Sequence, residues 1–340
     1  MSGVWRSRLI LFALAGIPAN DRRSALAPRL PFLTRFPETN MNTLDTHLEP
    51  PFAVNSLQPD ERRFGKLHDY LSGLDRKPST NAHLWRDADG KALGRYFNST
   101  LTSVFQPIRT LDTGEIAGFQ GYLRSHSETD SGLSLWRLLD YAASDDESIE
   151  LDRLCRLLHT LNFFRQTEAT GRDLYLNVHA RLLAAVEDNH GHAFRRVLAS
   201  IDVPHQRVVL QLPAITQNLS WLLDSVVTNY RGNGFRIAVN SSRAKEALGL
   251  LERVQPDVVK LDVRGVTDAA STEKLLRLAQ QRGVQVIFKR VDSQHLLSGL
   301  RQFGHALGQT LLVQGHLWDV PESALANVPS SFLATTPLAA

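Results

Sequence analysis

The chain has 340 residues, 43% hydrophobic and 21% charged, with a formal net charge of +3. That balance excludes collagen-like, fully disordered and disulfide-framework chains, and the length accommodates an α/β barrel of about 250 residues with additions. A single cysteine, Cys155, forms neither an internal disulfide nor a Cys-based zinc site, and scattered Lys and Arg with a pI near 9.1 give no case for nucleic acid.

Residues 1–58 are rich in Pro, Arg, Thr and Asn without sustained periodicity and read as a disordered or loosely packed leader. Arg6 and Arg8 precede an apolar run at 9–15 that has the look of a signal-peptide core, far short of the ~20 residues that span a bilayer. The alternative is a native start at Met41. No other segment reads as transmembrane. Residues 59–98 read as a short helical and linker segment. Asp60 is placed to cap a helix with Phe64, Leu67, Tyr70, Leu71 and Leu74 on one face, followed by a polar stretch at 75–83. That apolar face is expected either to cap the bottom of a barrel or to meet a partner.

Residues 99–325 alternate regularly, and 326–340 form a tail. Strand-like runs fall at 103–108, 115–123, 174–178, 208–212, 236–239, 258–261, 284–288 and 310–313. Helical periodicity occupies 148–166, 181–199, 217–230, 243–254, 271–282 and 293–303. From residue 174 the strand starts recur every 22–34 residues, the size of a βα unit. Several strands are nearly all apolar, as expected when both faces are covered. The tight turn Leu111-Asp112-Thr113-Gly114 makes the first pair antiparallel. The reading is an α/β fold, a TIM-like (βα)8 barrel with an irregular, antiparallel opening.

No phosphate-cradling Gly-rich loop, dinucleotide fingerprint, nucleophile elbow or His-Glu-x-x-His motif occurs. His190-Gly191-His192 lacks a third ligand at metal spacing and reads as a solvated loop. Cys155 continues the helical face of Leu151, Leu154 and Leu158, so it reads as core. A barrel keeps its chemistry at the C-terminal ends of its strands. The polar residues there are Gln120, Arg124, Asn177, Gln211, Asn240, Ser241, Lys260, Asp262, Lys289, Asp292 and Gln314.

Phe105-Gln106-Pro107-Ile108 and Thr113-Gly114-Glu115-Ile116-Ala117-Gly118-Phe119 resemble the opening of an EAL domain, the cyclic di-GMP phosphodiesterase family. Tyr175-Leu176-Asn177-Val178 is similar to its Asn-bearing strand. Gly234-Phe235-Arg236-Ile237-Ala238 resembles the lead into its Asp-Asp-Phe-Gly segment, and Pro256-Asp257-Val258-Val259-Lys260-Leu261-Asp262 its Lys-Ile-Asp strand. Gly283-Val284-Gln285-Val286-Ile287 and Gln314-Gly315 resemble the closing strands. The resemblance runs unbroken over roughly residues 100–320 and implies the barrel fold.

The resemblance also implies a phosphodiester-cleaving site with two divalent metals held by carboxylates and one Asn. Here the Glu-Ala-Leu triplet reads Gln120-Gly121-Tyr122, the next Glu is Gln211, a Thr-Glu pair is Pro213-Ala214, and an Asp pair is Asn240-Ser241. The Glu of the seventh strand appears as Lys289, while Asn177, Lys260, Asp262 and Gln314 stand as in active members, with Arg124 in its usual place. Two hard cations need several anionic oxygens, so the expectation is a degenerate EAL barrel with no catalytic residues, no metal ligands and no cofactor. The residues expected to meet a nucleotide are Gln120, Arg124, Asn177, Lys260, Lys289 and Gln314. The implied role is in cyclic di-GMP signalling, as a metal-independent receptor or as a module docking on a regulatory protein. A homodimer is compatible with either, and a cytoplasmic location is expected. The alternative is an active cyclic di-GMP phosphodiesterase, which would require divalent metal.

Overall fold

A computed structural model describes residues 64–78, 83–126, 145–179, 190–213, 220–266 and 268–325. The expectations for the leader at 1–58, the apolar run at 9–15, the Met41 start and the tail at 326–340 lie outside the described residues. The described chain falls within one unit, Leu57–Ala340.

The first described element is helix α1 (Gly65–Ser72). A hairpin of β1 (Leu84–Arg86) and β2 (Ala92–Tyr96) follows and pairs antiparallel onto β3 (Ser99–Thr110). The sequence reading placed no strand before residue 103. The hairpin's apolar signal is weak because one of its buried positions is Gly94, where a Cβ would press on Leu158 and Leu154.

β3 turns sharply at Gly114, which holds φ at 72°, and pairs antiparallel with β4 (Ile116–His126). Helix α2 (Asp145–Phe164) leads to β5 (Asp173–Asn177), α3 (His190–Ser200) to β6 (Val208–Leu212), and α4 (Ser220–Gly232) to β7 (Arg236–Ser241). Then come α5 (Ala244–Val254), β8 (Val258–Asp262), α6 (Ala269–Gln281), β9 (Gln285–Lys289), α7 (Gln294–Leu307) and β10 (Leu312–Gln314). From β4 to β10 each strand runs parallel to the next, and β3 closes the ring by pairing antiparallel with both β4 and β10. The result is an eight-stranded closed barrel, β3 to β10, with helices outside and the expected antiparallel first strand.

The caps follow local chemistry. Asp268 accepts from the Ser271 N–H at the start of α6, and Ser293 accepts from Leu296 at the start of α7. Gly308 ends α7 in the left-handed region. His190-Gly191-His192 is not a loop but the first turn of α3. Gly191 is buried there because a Cβ would meet Asn229, Tyr230 and Asn233 of the α4 region. Cys155 is buried on α2, as its spacing predicts, and burial pushes its thiol up.

The apolar face of α1 is already covered. Leu67 and Leu71 are buried in the main core, the Phe64 ring lies 5.4 Å from Phe164, and Lys66 pairs with Asp202 at 3.0 Å. Phe164 and Asp202 both precede parallel strands, so these contacts place the helix against the barrel's N-terminal end.

After β10 the chain crosses back over β3. Phe105 and Glu322 exchange backbone hydrogen bonds of 2.7 and 3.1 Å, and Arg109 forks onto Asp319 through two bonds of 2.7 Å. Arg109 and Asp319 are both buried, so this bidentate pair is poorly screened.

Candidate functional site

Side chains alternate across a strand, so residues two apart share the barrel interior. One interior layer is apolar: Ile108, Tyr175, Val209, Ala238, Val258, Ile287 and Leu312. One step of two toward the mouth, the same strands present Gln106, Asn177, Gln211, Asn240, Lys260, Lys289 and Gln314, and β4 adds Gln120. This alternation explains why nearly every strand ends in a polar residue. It also yields a floor of amides and lysines at the end of the barrel where parallel strands finish.

Lys260 is the centre of the floor and is fully buried. Its Nζ donates to Gln120 Oε1 at 2.5 Å and Gln314 Oε1 at 2.8 Å, and lies 5.4 Å from the centroid of the Tyr175 ring. Gln120 Nε2 in turn donates to Asn177 Oδ1 at 3.1 Å. Gln314 Nε2 donates to Gln106 Oε1 at 3.0 Å and Tyr122 Oη at 3.4 Å, and Gln106 Nε2 donates to the Asp319 carbonyl at 2.9 Å. Burial, with Lys289 nearby, pushes the Lys260 ammonium well below its ordinary value. Burial raises the Tyr122 phenol to about 12, against a lowering hydrogen bond with Gln314.

A second chain of bonds crosses the other side. Lys289 Nζ donates to Asn240 Oδ1 at 2.7 Å, Gln211 Nε2 reaches the same oxygen at 3.3 Å, and Asn240 Nδ2 donates to the Leu212 carbonyl at 2.8 Å. Gln211 Oε1 is buried and has no hydrogen-bond partner among the described residues. Asp262, the carboxylate at the end of β8, does not pair with either lysine. Arg264 holds it at 2.8 Å and Arg290 at 3.3 Å. Arg290 has φ of 65°, a left-handed conformation uncommon for a side chain of this size. Desolvation lowers Lys289, Asp262 raises it, and Arg264 lowers it.

Of the residues singled out from the sequence, the structure brings Gln120, Asn177, Lys260 and Gln314 into one network, and Gln211, Asn240 and Lys289 into its neighbour. Arg124 is exposed further along β4, on the same strand face as Gln120 and Tyr122. Ser241 turns away, and its hydroxyl bonds the Arg243 carbonyl and Glu246 before α5. Asp292 accepts from the His316 N–H at 2.8 Å. Sequence reasoning quoted Tyr122, Tyr175 and Gln106 only for the motifs they sit in and named none of them as a site residue. All three stand two residues from another interior residue, Gln120, Asn177 and Ile108, so strand alternation was the signal. Two glycines let the mouth turns close: a Cβ on Gly315 would collide with the Val291 backbone, and one on Gly265 with the Ser242 carbonyl.

Among the described residues no group of three His, Cys, Asp or Glu is arranged to hold a metal ion. Nor is any helix among them long and apolar enough to cross a membrane.

The model of the EAL domain matches residues 92–314, about two thirds of the chain. The chain belongs to the EAL domain family. Among solved structures, the Bacillus subtilis YkuI protein, with an EAL domain, in complex with substrate c-di-GMP and calcium, is 20% identical with a TM-score of 0.53. That match covers 67% of this chain and 56% of the other, so this chain spans little more than half of that protein's length. A standalone versatile EAL protein from Vibrio cholerae O395, in its c-di-GMP-bound form, is 20% identical with a TM-score of 0.54, covering 68% and 97%. The FimX EAL domain from Pseudomonas aeruginosa, bound to c-di-GMP, is 16% identical with a TM-score of 0.53, covering 66% and 91%. These identities establish a shared fold. No curated protein matches the chain significantly.

Proposed function

We propose that this chain is a non-hydrolysing EAL barrel that acts in cyclic di-GMP signalling by binding the dinucleotide without metal. The observation that carries this reading is the Lys260 ammonium, buried at the centre of the floor and held by two amide oxygens, Gln120 Oε1 and Gln314 Oε1. Two divalent cations need several anionic oxygens to offset their charge and fix their geometry. The floor offers neutral amides, and those of Gln120, Gln314, Asn177 and Asn240 already accept hydrogen bonds within the barrel. Two lysines beside those oxygens add repulsion that water screens poorly. The residues present therefore do not fit a two-metal centre, and no hydrolytic step is derived through one.

The same surplus of positive charge suits a dianionic ligand. Lys289, Arg264 and Arg290 surround the single carboxylate of Asp262, and Arg124 stands exposed above the floor. This reading carries with it a cytoplasmic location, where the messenger circulates. A second reading, a module that docks on a regulatory protein, is favoured by one feature: the floor's amides largely satisfy one another and leave few groups for a nucleotide.

Calorimetric titration with cyclic di-GMP, in EDTA and again with magnesium or manganese, separates these readings. The expected result is equal binding in both conditions and no linear product by chromatography. Metal-dependent turnover that disappears in Gln120→Ala or Asn240→Ala overturns the non-hydrolysing assignment. Silence in both conditions transfers the function to protein docking.

A further inference from the structure

The two floor lysines are differently placed. Lys260 has no exposed surface and is bonded to amides from β4 and β10. Lys289 is half-buried at the end of β9, in register with Asp262 on one side and Gln314 on the other. Among the described residues its Nζ makes one hydrogen bond, to Asn240 Oδ1, and no ion pair. An ammonium carries three N–H donors, so two of them are unused by the described residues. Asn240 is itself anchored through Nδ2 to the Leu212 carbonyl, so the lysine is held in one direction rather than sweeping the mouth. The nearby acid is spent, because Asp262 is forked by Arg264 at 2.8 Å and met by Arg290 at 3.3 Å. Three cations against one carboxylate leave this corner at +2 even with Lys260 uncharged. A partly desolvated cation with unused donors, beside a carboxylate already shared with two guanidinium groups, is a favourable contact for an anionic oxygen.

We infer that Lys289 meets a phosphate of the bound dinucleotide directly, as a tethered cation, with Asn240 as its positioning residue and Lys260 as a structural pin that touches no ligand. This rests on the receptor reading above. The division of labour is what the floor's burial pattern adds to it.

The experiment is titration of the full chain with cyclic di-GMP in EDTA, at two salt concentrations, for wild type and for Lys289→Met, Lys289→Gln, Lys289→Arg and Lys260→Met. Lys289→Met and Lys289→Gln should each weaken binding about tenfold or more and flatten its salt dependence, as expected when a charge-assisted contact is removed. Lys289→Arg should stay within about threefold, and Lys260→Met should lose less affinity than Lys289→Met while its melting temperature moves. Wild-type affinity in Lys289→Met and Lys289→Gln overturns the assignment of Lys289 and leaves the receptor reading standing. Greater loss in Lys260→Met than in Lys289→Met reverses the two roles. Absence of binding by the wild type overturns the receptor reading and this inference together.

Discussion

Lys260 Nζ donates to Gln120 Oε1 across 2.5 Å, from β8 to β4, and no carboxylate among the described residues shares the contact. A buried ammonium balanced only by amides and a tyrosine face is under-compensated. Gln120→Glu should therefore supply the missing charge and raise stability by about 1–2 kcal/mol, read as an increased melting temperature. The pH dependence gives a second check. Because the folded value of Lys260 lies well below 10.5, the unfolded chain binds more protons between the two values. Wild-type stability from this group accordingly rises with pH toward 10.5, and the rise should shrink in Gln120→Glu. A variant that melts lower at every pH contradicts the account.

The Arg109–Asp319 fork ties the returning C-terminal segment to β3, both groups being buried. Asp319→Ala strands a buried guanidinium without its carboxylate and should cost about 3–5 kcal/mol in urea unfolding. Arg109→Met combined with Asp319→Leu should recover much of that loss, since two apolar groups leave no unpaired charge.

His159 on α2 is buried against β3, with Nδ1 at 2.8 Å from Ser103 Oγ, and burial lowers its imidazole to about 4. The unfolded histidine titrates near 6.5, so between these values the unfolded state holds more protons. The group's stability is complete above pH ~6.5 and is lost as pH falls through about 4, amounting to about 3 kcal/mol. Denaturant midpoints measured from pH 7 to pH 4 should show this acid limb, and His159→Gln should flatten it.

Two glycine substitutions should act in opposite directions. At Gly315 an added methyl strikes the Val291 backbone at the mouth, so Gly315→Ala should lose about 2–3 kcal/mol. At Gly249, inside α5, a Cβ meets nothing within 4 Å, so Gly249→Ala should gain about 0.5–1 kcal/mol from helix propensity alone. Paired unfolding curves test both.

The barrel strands were legible because helices outside and a packed interior cover both of their faces, leaving apolar runs such as Val208–Leu212 with little ambiguity. The polar ring was legible because alternation places a polar residue two beyond each interior apolar one. What could not be read was depth and direction. Lys260 and Lys289 are both lysines at strand ends, yet only tertiary packing decides that one is sealed and the other reaches the mouth. Asn240 and Ser241 are adjacent, and the pleat sends one into the floor and the other to a helix start. The Arg109–Asp319 pair joins residues 210 apart, beyond the reach of any local pattern. The β1–β2 hairpin escaped because it buries Ala92, Gly94 and Tyr96, two of which give almost no hydrophobic signal.

The layer below the floor consists of six aliphatic residues and one phenol, Tyr175. Beneath it lies a separate charged group, Asp173 with Arg207 at 3.4 Å and Arg236 at 2.5 Å. Burial and Asp173 raise the Tyr175 phenol and Arg236 lowers it, while the Lys260 ammonium lies 5.4 Å from the centroid of the same ring. Ionic redesign at Asp173 should therefore register at the ligand-facing end through that one ring, set in an otherwise aliphatic layer.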